Sequence, residues 1–117
     1  MMMLSKLTYF AFIAYSMAIQ FNTPSPFEEW TTCEDHTVTW DSVDTDPRIA
    51  DLYLSSYIRY PPINKFLSRL SVSDGSYTAD TKGWPIDGGY RINMRNPDNF
   101  DEIYAQSEEF ILSPPRE

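Results

Sequence analysis

The chain has 117 residues, 17 of them acidic and 9 basic, for a net charge of −8; that is one domain's worth of sequence with one modest core. Such an acid excess disfavours nucleic acid and anionic membrane as partners, because both repel a polyanion. Cys33 is the single cysteine, which excludes an intrachain disulfide and leaves stability to packing.

At the N-terminus "MMMLSK" carries one positive charge, "LTYFAFIAYSMA" is apolar, and Ser16 and Ala18 supply small residues at the −3 and −1 positions of a cut. Residues 1–18 therefore read as a secretory signal peptide, with the mature chain starting at Ile19. The apolar run is too short to span a bilayer of ~30 Å, which needs about 20 residues, and polar "QFNTPSP" follows at once. A retained signal anchor is the alternative. Cleavage removes Lys6, leaving 8 basic residues against 17 acidic and a mature charge of −9, with no membrane insertion expected afterwards. In an oxidising compartment Cys33 either bridges to another molecule or is buried as a small apolar residue, and burial is the expectation. No N-glycosylation acceptor is present, since Asn22-Thr23 is followed by Pro24.

Along the mature chain the dominant signal is alternation of period two in short runs. A weak strand at "AIQF" precedes "HTVTW", where Val38 and Trp40 share a face. Next comes "DSVDTDP", in which Asp41, Asp44 and Asp46 either collect a cation or stop a strand. A calcium loop supplies about six to eight oxygens and a glycine for its bend. That glycine is missing here, so the expectation is a strand end at Asp41 followed by a turn built by Asp44, Asp46 and Pro47.

"IADLYLSSYIRY" then places Ala50, Leu52, Leu54, Ser56 and Ile58 inward, with Asp51, Tyr53, Ser55, Tyr57 and Arg59 outward. In "PPINKFLSRLSV" Ile63, Phe66, Leu67 and Leu70 have helical spacing. Strand is nevertheless preferred, because Ser71, Val72 and Ser73 lead straight into the turn "DGS". "GSYTA" is a further weak strand, "GGYRINM" turns Tyr90, Ile92 and Met94 in and Arg91 and Asn93 out, and "EEFIL" ends with Phe110 and Leu112 in register. Between the runs lie "DTDP", "YPPIN", "SDGS", "TKGWPIDGG" and "NPDNFD", rich in turn formers. About seven short strands at this spacing indicate an all-β sandwich over residues 19–113, with a tail at 114–117.

Catalytic chemistry finds little support. Cys33 and His36 are three apart, too few ligands for zinc and without an orienting group for a dyad. There is no phosphate loop and no nucleophile elbow. No cofactor is expected, and the chain reads as a non-enzyme.

Aromatic residues, 15% of the sequence, are the candidates for contact with glycans, since sugar rings can lay their C–H faces on exposed aromatic planes. Trp40 belongs to the core. Trp84, in "TKGWPIDGG", is either tucked over a sheet end or offered to a partner. Tyr53 and Tyr57 project from one strand face about 13–14 Å apart, from a rise of ~3.4 Å per residue; they either form a contact patch or reflect β-propensity on a solvated face.

"TVTWDSVDTDP", "IADLYLSSYIRYPP", "SDGSYT", "GYRINM" and "IYAQSEEFIL" together resemble the immunoglobulin-like domain of fungal Ser/Thr-rich, GPI-anchored surface proteins. The same domain is similar to the N-terminal module of yeast cell-wall synthesis proteins linked to β-1,6-glucan. The resemblance implies a secreted immunoglobulin-like sandwich of about seven strands at the cell surface or wall, with no known catalytic residues. It also implies a Ser/Thr-rich stalk and a GPI signal, which are not visible before this sequence stops at "SPPRE". Where such domains commonly have a small turn residue, often glycine, this chain has Cys33.

The reading that follows is a secreted, extracellular or wall-bound module that binds or organises wall polysaccharide, or pairs with a surface protein. The alternative is a small secreted, effector-like protein that binds another protein. A catalytic sandwich of the copper type would need an N-terminal histidine and a second one, whereas the mature start is Ile19 and only His36 exists.

Overall fold

Nine strands form among the described residues: β1 (Gln20–Thr23), β2 (Glu28–Thr31), β3 (Asp35–Asp41), β4 (Ile49–Ser56), β5 (Ile63–Ser71), β6 (Ser76–Asp80), β7 (Asp87–Asn96), β8 (Asn99–Gln106) and β9 (Phe110–Ser113). This computed structural model describes residues 18–58 and 60–115. The signal-peptide reading at residues 1–17, the outward placement of Arg59 and the last two residues of the tail lie outside them.

A three-stranded sheet, β1-β3-β6, faces a six-stranded sheet ordered β2-β9-β7-β4-β5, with β8 also paired to β7. All pairs are antiparallel except β2 with β9. Alternation decides what lies between the sheets. Val38 and Trp40 of β3, Ala50, Leu52 and Leu54 of β4, Tyr90, Ile92 and Met94 of β7, and Phe110 and Leu112 of β9 are all buried. Each large apolar side chain so placed contributes about 1.5–3 kcal/mol relative to exposure. Trp40 completes its burial by donating its indole N–H to the Val72 carbonyl at 2.7 Å, so no polar atom of the ring is left unmatched.

The segment with mixed signals, residues 63–71, is strand β5, and only Val72–Asp74 turns, as one 3-10 turn closed by Gly75. Gly75 has φ 77° and its carbonyl accepts from the Trp40 amide at 3.0 Å. A left-handed residue suits glycine there.

Two strands exceed the sequence expectation. β2, "EEWT", is too short to alternate visibly and is held parallel to β9 by the ladder from Glu28↔Phe110 to Thr31↔Ser113. β8 starts inside "NPDNFD", so only Asn96 to Asn99 forms the turn. β8 and β9 share β7: β8 pairs with Asn93–Asn96 and β9 with Asp87 and Tyr90. At the crossover Ser107 accepts the Ile92 amide on its Oγ at 2.8 Å and donates its own amide to the Ile92 carbonyl at 2.9 Å. A side chain thus stands in for a missing backbone partner.

Ile58 and Cys33 depart from their expected placement, and Asn93 from the exposure that an outward position suggests. Ile58 is not in the core but 66% exposed, because β4 ends at Ser56 and the chain turns toward Pro61 and Pro62. Its side chain lies over Gly89, where an added Cβ would meet Ile58 Cδ1 at 2.6 Å. Asn93 does point outward, but it is fully buried, since β8 runs beside it and Gln106 donates to its Oδ1 at 2.9 Å. Cys33 is exposed rather than buried. It occupies the β2–β3 turn with φ 69°, and the inner positions beside it go to Thr32 and Thr81, whose Oγ1 and carbonyl are bonded at 3.1 Å.

Candidate functional site

β4 and β7 lie side by side, so their outward residues form a grid: Asp51, Tyr53 and Ser55 stand opposite Arg95, Asn93 and Arg91. β5 extends the grid with Phe66 beside Tyr53 and Asn64 beside Ser55. The β7–β8 turn returns Phe100 over the same face, 5.3 Å from the Tyr53 ring in an edge arrangement, while Phe66 meets Tyr53 at 5.6 Å.

Arg95 sits at the centre and is only 3% exposed. Its Nη1 donates to the Phe100 carbonyl at 2.7 Å, and its Nη2 donates to the Tyr57 hydroxyl at 2.9 Å and to Asn64 Oδ1 at 3.2 Å. The guanidinium carbon lies 4.0 Å from the Phe100 ring centroid and 5.3 Å from that of Tyr53. None of these partners is a carboxylate. The adjacent Asp51 is engaged instead by Arg69, at 2.8 Å from Oδ1 and 3.2 Å from Oδ2, and this carboxylate raises the Arg69 guanidinium above its ordinary range. A buried cation is costly unless its protons are matched. Here neutral oxygens and two aromatic faces do the matching, and Arg95 Nε alone is left without a partner.

The consequence is a fixed aromatic surface. Asn64 Oδ1 also accepts from Ser55 Oγ at 2.7 Å and from the Tyr57 hydroxyl at 3.1 Å, so Tyr57, Asn64 and Arg95 hold one another. Tyr57 and Phe66 are each 52% exposed and Phe100 is 46% exposed. Their buried edges are anchored while their other faces meet solvent.

The sequence candidates divide on this map. Tyr53 and Tyr57 do share the outer face, but Tyr53 is half-buried among Phe66, Phe100 and Arg95, leaving Tyr57 as the accessible ring. Trp84 is 5% exposed and lies 6.3 Å from Trp30 in the core. Its amide donates to the Thr81 carbonyl at 3.0 Å across a turn that uses Gly83 at φ 82°, and this swings the indole inward. Trp84 is therefore a core residue and offers no free face. Phe66, Phe100, Asn64 and Arg95 were not singled out by sequence; the outward row Arg91, Asn93, Arg95 was the one signal available.

Asp41 is the last residue of β3. Asp46 accepts the Val43 amide on Oδ2 at 2.8 Å, the turn contact expected of it, and the Ala18 amide on Oδ1, also at 2.8 Å, from 28 positions away. Among the described residues no group of three or more His, Cys, Asp or Glu side chains converges as metal ligands would. His36 stacks on Trp30 at 4.7 Å and its Nε2 lies 2.9 Å from the Thr31 carbonyl, tying β3 to β2. Glu28 sits beneath this stack. Its burial works to raise the carboxyl pKa, but hydrogen bonds from the Ser25 amide and hydroxyl and the Trp30 indole outweigh it and hold the group below its ordinary value.

Two facing sheets, antiparallel in every pair but β2–β9, define an immunoglobulin-like sandwich. A family model described as the Kre9/KNH-like N-terminal Ig-like domain matches residues 23–112, and the chain belongs to that family. The family relates to cell-wall glucan synthesis.

Among its relatives, a protein of Schizosaccharomyces pombe named only as uncharacterised is 39% identical over 94% of this chain and 32% of its own length. A UPF0619 GPI-anchored membrane protein of Aspergillus fumigatus is 36% identical over 89% of this chain and 48% of its own. The serine/threonine-rich protein adg2 of Schizosaccharomyces pombe is 28% identical over 80% and 14% respectively. The chain thus spans about a third of the first of these relatives and about half of the second. The expectation of a chain without a GPI signal finds no support in the GPI-anchored relative. No catalytic activity figures in these names, and no solved structure matches. Among the described residues no helix is long and apolar enough to cross a membrane.

Proposed function

We propose that this domain is a non-catalytic module of the fungal cell surface that holds neutral wall polysaccharide on the outer face of its larger sheet. In this reading residues 1–18 are a leader removed on secretion, residues 19–113 are the working domain, and the mature chain is extracellular or wall-bound. The observation that carries the reading is the trio of half-exposed rings, Tyr57 and Phe100 held by the buried Arg95 and Phe66 by the edge of Tyr53. Rigid aromatic planes lose little side-chain freedom on contact, and a neutral glucan offers them C–H faces without requiring an ion. The family's relation to wall glucan and the GPI-anchored relative support the location.

The test is retention of the mature domain on insoluble β-glucan, chitin and mannan as wash salt is raised. Retention on at least one polymer should survive high salt, because screening acts on charges and not on stacked faces. Phe66→Ala and Tyr57→Ala should weaken it, whereas Tyr57→Phe, which keeps the ring, should retain more than Tyr57→Ala. Binding that vanishes with salt, or that ignores both ring deletions, would remove the reading and leave a protein partner ahead.

A further inference from the structure

Asp46 is 7% exposed and lies in the loop after β3. One of its oxygens is committed within that loop, accepting the Val43 amide at 2.8 Å. The other reaches across 28 positions to the amide of Ala18, also at 2.8 Å. That second partner sits at the junction where the leader reading places the cut, and Ile19, the next residue, is 8% exposed with its side chain in the core. Beyond it Gln20 is already paired with Asp41 in the β1–β3 ladder.

Removal of the leader converts a backbone amide at this point into a primary ammonium. We propose that Asp46 is the receptor site for that α-ammonium, so that processing replaces a neutral amide contact by an ion pair that seals β1 to the β3–β4 loop. Successive backbone nitrogens are about 3.5 Å apart. After a cut behind Ala18 the Ile19 nitrogen starts within that distance of the position held by the Ala18 nitrogen, and the buried Ile19 side chain keeps it there. The amide bond to Asp46 is already charge-assisted through its acceptor; an ammonium in its place adds a full positive charge opposite the carboxylate, and a carboxylate this little exposed is screened weakly. The other charged groups lining the cleft beside Asp46 are Asp44 and Arg48 of its own loop; Ser71, Val72 and Ser73, which close it from the β5 end, carry none. The role of Asp46 is thus wider than turn-building, and it is independent of what the outer face binds.

The experiment uses the secreted chain beginning at Ile19. Its α-amino group should titrate about one unit above the ordinary value near 8, followed by NMR, and Asp46→Asn should return it to that value while keeping an acceptor for the Val43 amide. Acetylation of the α-amino group of the wild-type chain, which alters no side chain, should lower Tm by roughly 5 °C and should have no such effect in Asp46→Asn. An ordinary α-amino pKa in the wild type, or an equal response to acetylation in both chains, overturns the proposal.

Discussion

The two faces of β4 and β7 are made by alternate residues of the same strands, yet they are closed by different means. Inward, Leu52, Leu54, Ile92 and Met94 meet the opposite sheet and are completely buried; any apolar side chain of suitable volume serves there. Outward, Asp51, Ser55, Asn93 and Arg95 are almost as inaccessible, but they are polar, and apart from Asn93 Nδ2 and Arg95 Nε their side chains are held by specific partners. A face closed by apolar packing tolerates variation, whereas one closed by a hydrogen-bonded cage around a cation depends on individual atoms. The rigidity of Tyr57 comes from the second kind.

Damage to the apolar core should have the largest effect. Trp40→Ala should cost about 3–5 kcal/mol through lost burial and a cavity, at about 4–8 °C of Tm per kcal/mol for a domain this small. Thermal unfolding by circular dichroism reads it. Arg95→Ala on the outer face should cost less, about 2–3 kcal/mol, because it unpairs the Phe100 carbonyl and removes the stack beneath Phe100. Arg95→Lys should recover only part of that loss, since an ammonium cannot reproduce the planar fork. Equal Tm values for the two Arg95 variants would deny the cage its geometric role.

A smaller effect concerns the end of the sandwich, where Glu28 is held below its ordinary pKa. A depressed carboxyl contributes stability that is present above the unfolded-state pKa and lost as pH falls through the folded value. Glu28→Gln should therefore lower Tm at pH 6 by less than about 1 kcal/mol of stability, given its partial exposure and solvent screening, and the two proteins should converge as pH falls below the ordinary carboxyl range. A gap that widens on acidification would reverse the assignment. The smallest change is at Cys33. Its thiol is exposed and should alkylate without denaturant. Cys33→Gly should raise stability by at most about 1 kcal/mol, because φ 69° is strained for any residue with a Cβ. Slow labelling would return the side chain to the interior.

The inner face was legible in the residue pattern. Period two in "HTVTW", "IADLYLSS" and "GGYRINM" places Val38, Trp40, Ala50, Leu52, Leu54, Tyr90, Ile92 and Met94 in the core, because successive side chains on a strand must point to opposite faces. The residue pattern also marked the strand end at Asp41 and the turn-building use of Asp46, whose short side chain can reach only nearby amides or a segment brought to it. Only the tertiary structure decided what covers the other face. Alternation says that Asn93 and Arg95 point outward, but not that β8 and Phe100 return over them; that depends on a hairpin whose strand is masked by "NPDNFD" and on a register set by distant pairing. The same limit explains Trp84, which lies among turn formers and is drawn inward by Trp30, 54 positions earlier in sequence and 6.3 Å away in space. It explains Cys33 too, since a small apolar residue is expected inside until the backbone at a turn points it out. Local pattern fixes direction, whereas burial is a property of what arrives from elsewhere in the chain.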